Sequence, residues 1–381
     1  MQDLKFGLRM LAKNPGFTLV AVLTLALGIG VNAAIFSIIN AVLLHPLPYR
    51  DAGRLVSISG RVLDSGATGA GVSFTKFVQL RERASSLENA AAFYPLTLSL
   101  TTHGEPAQIA AVRASAGVFD VLGTRPARGR GFTPEEDQPG GRDVAVITDA
   151  VWHNRFGGDP TVLGKPISLD GSATVIVGIL PPEFRFPLIQ PEPEVWLARP
   201  FDHPGLGPER VRTGAGYLSV IGRLRRGETA RRLQEQADLI DARYREQFPG
   251  FVDARKFGLF VTSLEESLVG SVRSSLLVLL SAVAFVLLIA CANVASLLLA
   301  RASTRRKEMA LRTALGADLI HLSKQTLTEG LLLAFLGGAA GVLAAWWTLP
   351  SLLRTLAPGT LPGSEAIHVD TSVLLFSIAI C

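Results

Sequence analysis

The chain has 381 residues, of which 48% are hydrophobic and only 18% charged, and its mean hydropathy is +0.35. Soluble domains carry about 25% charged residues, so an all-soluble protein is excluded. The formal charge of +5 does not indicate nucleic-acid binding, because the excess basic residues flank apolar segments.

Residues 1–16 predict a cytoplasmic amphipathic helix. Leu4, Leu8 and Leu11 share one face, Lys5, Arg9 and Lys13 line another, and Asn14-Pro15-Gly16 ends it. Residues 17–45 predict the first transmembrane helix, since Phe17 to Leu44 holds no ionisable group. A span needs about 20 residues at about 1.5 Å each. Small residues recur within it at helical spacing: Ala26, Gly30, Ala33, Ser37 and Ala41. Such residues let helices approach closely in lipid, and Asn32 and Asn40 favour a bundled helix over a lone anchor.

Residues 46–270 balance acidic against basic residues and contain no cysteine. They read as a mixed α/β domain of two lobes. Ser73 caps a helix that includes Phe74, Phe77, Val78 and Leu80. Val144–Ile147 is a buried strand leading into a helix over Thr148–Phe156. Ile167–Leu169 and Thr174–Val177 flank Asp170-Gly171, a hairpin signal. Pro181–Pro200 is a proline-rich connection. Tyr217–Leu224 and Phe257–Ser263 read as strands, and Thr229–Gln247 as a helix burying Leu233, Ala237, Ile240 and Tyr244. Glu135, Glu136 and Asp137 read as a solvated turn.

Residues 271–300 and 326–350 predict the second and third transmembrane helices, with Pro350 ending the third early. Gly337 and Gly341 form a G-x-x-x-G packing face there. Between them, 301–325 is a basic loop. Residues 351–371 form an outer loop, and 372–381 read as the start of a fourth span, cut by the end of the sequence. Basic residues before the first span and between the second and third place both segments in the cytoplasm and 46–270 outside.

The basic loop carries the strongest motif. Glu308 and Arg312 pair at i, i+4, Leu311, Ala314 and Leu315 form an apolar stripe, and Gly316 suits a helix end. Arg305-x-x-Glu308-Met-Ala-Leu-Arg312-x-Ala-Leu-Gly316-Ala317 resembles the R-x-x-E-I-x-I-R-x-A-x-G-A signature of MacB/FtsX-like ABC transporter permeases, with Met309 and Leu311 at the isoleucine positions. Phe119-Asp-Val-Leu-Gly123, Gly129-Arg130-Gly-Phe132, Trp152…Phe156-Gly157-Gly158 and Leu163-Gly164-Lys165 resemble that family's periplasmic core domain. Phe6-Gly-Leu-Arg9, Asn14–Thr18 and Asn32–Ser37 are similar to the acidobacterial-type duplicated permeases, of which this would be an N-terminal half.

The resemblance implies a multi-pass protein of the bacterial inner membrane. It makes Arg305, Arg306, Lys307, Glu308, Met309, Leu311, Arg312, Leu315, Gly316 and Ala317 the surface that meets a cytoplasmic ABC ATPase. That partner, rather than this chain, would bind ATP. Further implied partners are a periplasmic adaptor with an outer-membrane channel, a second permease half or a homodimer mate, and membrane lipid. The expected function is export or mechanotransmission. The alternatives are an FtsX-like regulator of a periplasmic hydrolase and an ATPase-independent sensor.

No enzyme chemistry is expected. Gly158–Pro166 imitates a phosphate loop, but it has one residue too many between its glycines, and Pro166 stands where Ser or Thr should hold magnesium. The six histidines lack metal-ligand spacing, and no Gly-x-Ser-x-Gly elbow occurs. Neither metal nor cofactor is expected in the chain.

Overall fold

The computed structural model describes residues 15–40, 47, 49–101, 106–304 and 319–356, together with 373, 375, 377 and 378. The chain divides into two units, one of residues 47–270 and one of the flanking segments. The expected amphipathic helix at the N-terminus lies outside the described residues.

Helix α1 spans Pro15–Ile39. Pro15 suits the first helical turn, where a missing N–H breaks no internal bond.

The inserted domain follows. Its elements in chain order are β1 (Leu55–Val62), β2 (Thr68–Ala70), β3 (Val72–Ser73), α2 (Phe74–Arg83), β4 (Leu87–Thr101) and β5 (Ala107–Ala114). Next come α3 (Val118–Leu122), β6 (Arg128–Gly129), β7 (Val144–Ile147), α4 (Asp149–Phe156), β8 (Pro166–Leu169), β9 (Ser172–Ile179) and β10 (Val195–Leu197). The domain closes with α5 (Pro208–Arg212), β11 (Gly216–Leu224), α6 (Ala230–Gln247), α7 (Val252–Lys256) and β12 (Phe257–Ser263).

One mixed sheet runs through all of it in the order β12-β1-β11-β4-β5-β10-β7-β9-β6. The long strand β4 joins its two ends. Residues 87–93 of β4 pair with β11, and 93–100 pair with β5 on the other side. Phe93 alone of these is bonded in both registers, opposite Ser219 and Ala114. The sheet is continuous, with a helix-covered cluster at each of its two ends. At one end α2 and α6 pack Phe77, Leu80, Leu233, Ala237 and Ile240 onto Val56, Ile58 and Val220. At the other, α4 packs Val151 and Trp152 onto Ile147, Ile167 and Ile176. A third cluster is aromatic, with Phe186 edge-on to Trp196 at 4.6 Å and to Phe93 at 5.2 Å. β1 and β12 pair antiparallel, Val56 opposite Ser263.

Local signals explain many of these elements. The side chains of Ser73, Thr148 and Thr229 each accept a bond from a backbone N–H in the first turn of the helix that follows. Asp170 (φ 48°) and Gly171 (φ 80°) both sit in the left-handed region, the conformation that a two-residue hairpin turn needs. The proline-rich connection contains a strand the sequence did not suggest. Val195–Leu197 inserts between β5 and β7.

A buried ionic cluster lies under α2 and α6. Lys76, Asp241 and Asp253 are each 3% exposed. Lys76 Nζ stands 2.9 Å from Asp241 Oδ1, close enough for an ion pair but not aligned as a hydrogen bond. The ammonium donates to the carbonyls of Phe257 (2.5 Å) and Asp253 (3.3 Å). Asp241 Oδ2 accepts from the Leu259 N–H. Asp253 Oδ2 accepts from the hydroxyls of Ser73 (2.5 Å) and Tyr244 (2.9 Å). Burial and the nearby carboxylates push the Tyr244 phenol well above its ordinary value, so it remains a donor.

Two long helices complete the flanking unit, α8 (Leu264–Thr304) and α9 (Leu319–Leu356). Stretches of sufficient length and apolarity to cross a membrane are Pro15–Ile39, Val272–Ala300 and Thr328–Thr348. Helix α8 begins ahead of the expected boundary at 271, and α9 begins before 326. Pro350 does not end the helix, which continues to Leu356, although the stretch apolar enough to span ends at Thr348. Proline removes one backbone bond, but local adjustment in membrane helices absorbs that loss.

Candidate functional site

The residues expected to meet an ATPase, Arg305 to Ala317, lie outside the described residues. The helix at Thr304 leads into that segment, and α9 resumes at Leu319.

The small residues of the spans are described. Gly30 and Gly341 face each other across α1 and α9. A Cβ on Gly30 would stand 2.8 Å from the Gly341 carbonyl oxygen. A Cβ on Gly341 would meet Ala26 O at 2.7 Å and Gly30 N at 2.9 Å. Gly337 sits against Leu25, whose Cβ would be 2.5 Å from an added one. Ala33 is fully buried with Ala345 and Val373. Ser37 is buried, but its hydroxyl bonds back along its own helix, to Ala33 O at 2.9 Å. Asn32 is 2% exposed and its amide donates to Gly28 O and to Val283 O of α8, both at 2.9 Å. The amide thus ties the first span to the second. Gly28, which the sequence did not single out, lies where a Cβ would be 3.2 Å from Ala290 Cβ in the second span.

Within the inserted domain a cleft of about 1330 Å³ opens beside α2, β4 and the segment 197–212. Phe74, Val78, Leu96, Leu98 and Phe201 give it apolar walls, and Phe74 and Phe201 are 5.2 Å apart. Arg199, at φ 65°, ties the segment down. It pairs with Asp143 and with Asp202 (3.0 Å) and donates to Gly141 O. Nearby, His203 stacks on Tyr94 at 4.8 Å, and Tyr94 donates to Asp202 O at 2.5 Å. Burial raises the Tyr94 phenol to about 12, with Arg113 opposing and Asp202 adding to the shift.

The acidic run at 135–137 differs from a solvated turn. Glu135 is exposed, but Glu136 is buried and takes both guanidinium nitrogens of Arg130, at 2.7 and 2.8 Å, plus the Thr133 N–H at 2.9 Å. Burial alone would raise the Glu136 carboxyl; Arg130 and Thr133 outweigh it and hold the group below its ordinary value. A depressed carboxylate stabilises the fold above its unfolded pKa of about 4.3, and the stabilisation is lost as pH falls through the folded value. Glu136→Gln is therefore expected to be less stable than the parent at pH 7, with the gap narrowing as pH falls below the unfolded value of about 4.3. Denaturant midpoints measured across that range check this; a constant gap down to pH 3 would contradict it.

Gly158–Lys165 forms a capped turn, in which Asp159 accepts from the Thr161 N–H at 2.8 Å and pairs with Lys165 at 3.5 Å. Among the described residues no three His, Cys, Asp or Glu side chains gather where a metal could bind.

These features define a membrane protein whose mixed α/β domain is inserted between its first and second apolar helices. The family model for the MacB-like periplasmic core domain matches residues 18–240, and that for the FtsX-like permease C-terminal region matches 280–381. The chain belongs to this family of MacB/FtsX-type ABC transporter permeases.

The macrolide export ATP-binding/permease protein MacB of Wolinella succinogenes is 26% identical over 247 residues, 64% of this chain and 36% of that protein. Its counterpart from Burkholderia thailandensis is 25% identical over 59% of this chain and 33% of its own length. An uncharacterized ABC transporter permease of Bacillus subtilis, YvrN, is 26% identical over 69% of this chain and 62% of its own. The chain thus spans about a third of the MacB relatives it matches. Among solved structures, the periplasmic region of MacB from Actinobacillus actinomycetemcomitans covers 58% of this chain and 94% of its own, at 10% identity and a TM-score of 0.41. The extracellular domain of the transporter YknZ from Gram-positive bacteria covers 54% and 99%, at 14% identity and a TM-score of 0.38.

Proposed function

We propose that this chain is the permease part of an export machine of the mechanotransmission kind, driven by a separate cytoplasmic ATPase. In this reading the N-terminus and residues 305–317 face the cytoplasm and the inserted domain is periplasmic. ATP-driven closure of the motor displaces the basic segment, and the spans carry the displacement outward. A second permease half or a second copy completes the machine, and a periplasmic adaptor leads onward to an outer-membrane channel.

The observation that carries the reading is α8. It runs without a break from the last strand of the inserted domain, β12, to Thr304, next to the basic segment. Forty-one residues of helix reach about 60 Å at about 1.5 Å per residue. An unbroken helix of that length suits the transfer of motion from one end to the other.

Charge reversal at the proposed docking segment tests this. Glu308→Arg with Arg312→Glu is expected to cut the ATPase recovered with the affinity-purified permease at least tenfold, with membrane insertion unchanged. Equal recovery would rule out docking through this segment, and failure of the parent chain to bring down any ATPase would favour the ATPase-independent sensor. Recovery of a periplasmic hydrolase with the parent chain would favour the FtsX-like regulator.

A further inference from the structure

We infer that side chains of α2 and α6 stand in for a missing strand along β12, and that this edge, once uncovered, pairs with the same strand of a second copy of the chain. The inference concerns the inserted domain alone and does not depend on the choice of motor.

Strand β12 closes the sheet at one end. It has β1 on one side and, among the described residues, no strand on the other. The opposite end of the sheet is protected by shortness, since β6 has only two residues and one is an arginine. β12 lacks that protection. Its seven residues, Phe257–Ser263, include no charge and no proline, and most are aromatic or β-branched. An edge of that composition is a template for pairing with another chain.

Its backbone groups are nonetheless taken, and not by a strand. The Phe257 N–H donates to Asp253 O at the end of α7. Phe257 O accepts from Lys76 Nζ at 2.5 Å, and the Leu259 N–H donates to Asp241 Oδ2. Gln234 then spans a rung. Its Nε2 donates to Leu259 O at 3.0 Å, and its Oε1 accepts the Val261 N–H at 2.7 Å. Residues 257, 259 and 261 are every second residue, the set that one edge of a strand presents. Lys76 and Asp241 are sealed in the core, whereas Gln234 is half-buried, so the cover opens from the Gln234 end.

The edge is also self-complementary. A twofold axis through Leu259 sets Leu259 against itself and Phe257 against Val261, and no charge of either strand is buried by the pairing.

Gln234→Ala removes the rung. Gln236→Ala is the matched control, because that side chain bonds to Ser85 and Ser86, away from β12. In the full chain in detergent, amide hydrogen exchange at Val261 should be at least tenfold faster in Gln234→Ala than in Gln236→Ala, with unchanged exchange at Ile221 of β11 reporting an intact sheet. If alanine loosens α6, Gln234→Met keeps the volume and removes the same bonds. In urea below the unfolding midpoint, sedimentation velocity should show Gln234→Ala associating beyond the parent's own state, at a concentration at least tenfold lower than Gln236→Ala requires. Adding Thr262→Lys sets a lysine opposite Lys256 of the other copy in the twofold pairing, and like charges so placed repel. It should abolish the excess association. Equal exchange at Val261 in the two variants would overturn the cover. Equal association of the two, or association indifferent to Thr262→Lys, would overturn pairing through β12.

Discussion

Replacing Lys76 with methionine is expected to destabilise the inserted domain by about 3–5 kcal/mol, the cost typical of breaking a buried ion pair. In a domain of this size the loss corresponds to a fall in melting temperature of roughly 6–20 °C. Methionine keeps most of the side-chain volume, so packing is not the cause. The ammonium faces Asp241 at 2.9 Å and satisfies the carbonyls of Asp253 and Phe257, with all three side chains sealed from water. Removing it leaves two carboxylates in the core with no cation. Thermal unfolding of the full chain, followed by tryptophan emission, to which the buried Trp152 and Trp196 of this domain contribute, reads the effect. A second variant separates charge from hydrogen bonding. Lys76→Met with Asp241→Asn removes one stranded charge and keeps an acceptor for the Leu259 N–H. The double variant should recover at least half of the lost stability. If it is no more stable than Lys76→Met, the lost bonds to the carbonyls dominate, and the ion-pair account fails.

The second large effect lies at the crossing of the first and third spans. Gly341→Val is expected to cost about 1–3 kcal/mol or more, as overpacking does in a filled core. Its Cβ would press on Ala26 O and Gly30 N, which are backbone atoms of α1 and cannot turn aside. The helices must separate, and close approach is what holds spans together in lipid. Gly330→Ala in the same helix is the matched control. A Cβ there meets nothing within 4 Å, and alanine favours a helix over glycine by about 1 kcal/mol. Heating the detergent-solubilised protein and following its monodispersity by size exclusion should rank Gly330→Ala at or above the parent and Gly341→Val well below it. Equal behaviour of the two variants would show that the crossing carries no packing energy.

Features governed by neighbours in sequence were legible without a structure. Thr148 and Thr229 announce helices because the cap and the first turn are adjacent in the chain. Asp170-Gly171 announces a hairpin because the turn conformation is local. The spans follow from length and apolarity alone. What escaped depends on distant partners. Val195–Leu197 is a strand only because β5 and β7 offer it two edges, and its flanking prolines argued for a loop. The β4–β5 hairpin, which joins both ends of the sheet, was also missed. Nothing local to Lys76 signals its ion pair, since Asp241 lies far away in the chain. Glu136 looked solvated because its run of acids hides that one of them turns inward to Arg130. The cleft draws its arginines from α2, β5, the loop before β7, the segment after β10 and α5, so no spacing in the sequence could assemble it.

The pairing of Val56 with Ser263 has a mechanical consequence. The strand that the chain enters from the first span and the strand from which it departs into α8 are hydrogen-bonded neighbours, and both connections leave at the same end of the sheet. A displacement shared by the two connections moves β1 and β12 together and leaves every rung of their ladder intact. Opposed displacements would load the rungs one at a time from that end, the geometry in which a sheet peels most easily. If the spans deliver motion to this domain as proposed, the pair of strands would pass on concerted strokes and spend discordant ones on fraying the edge of the sheet.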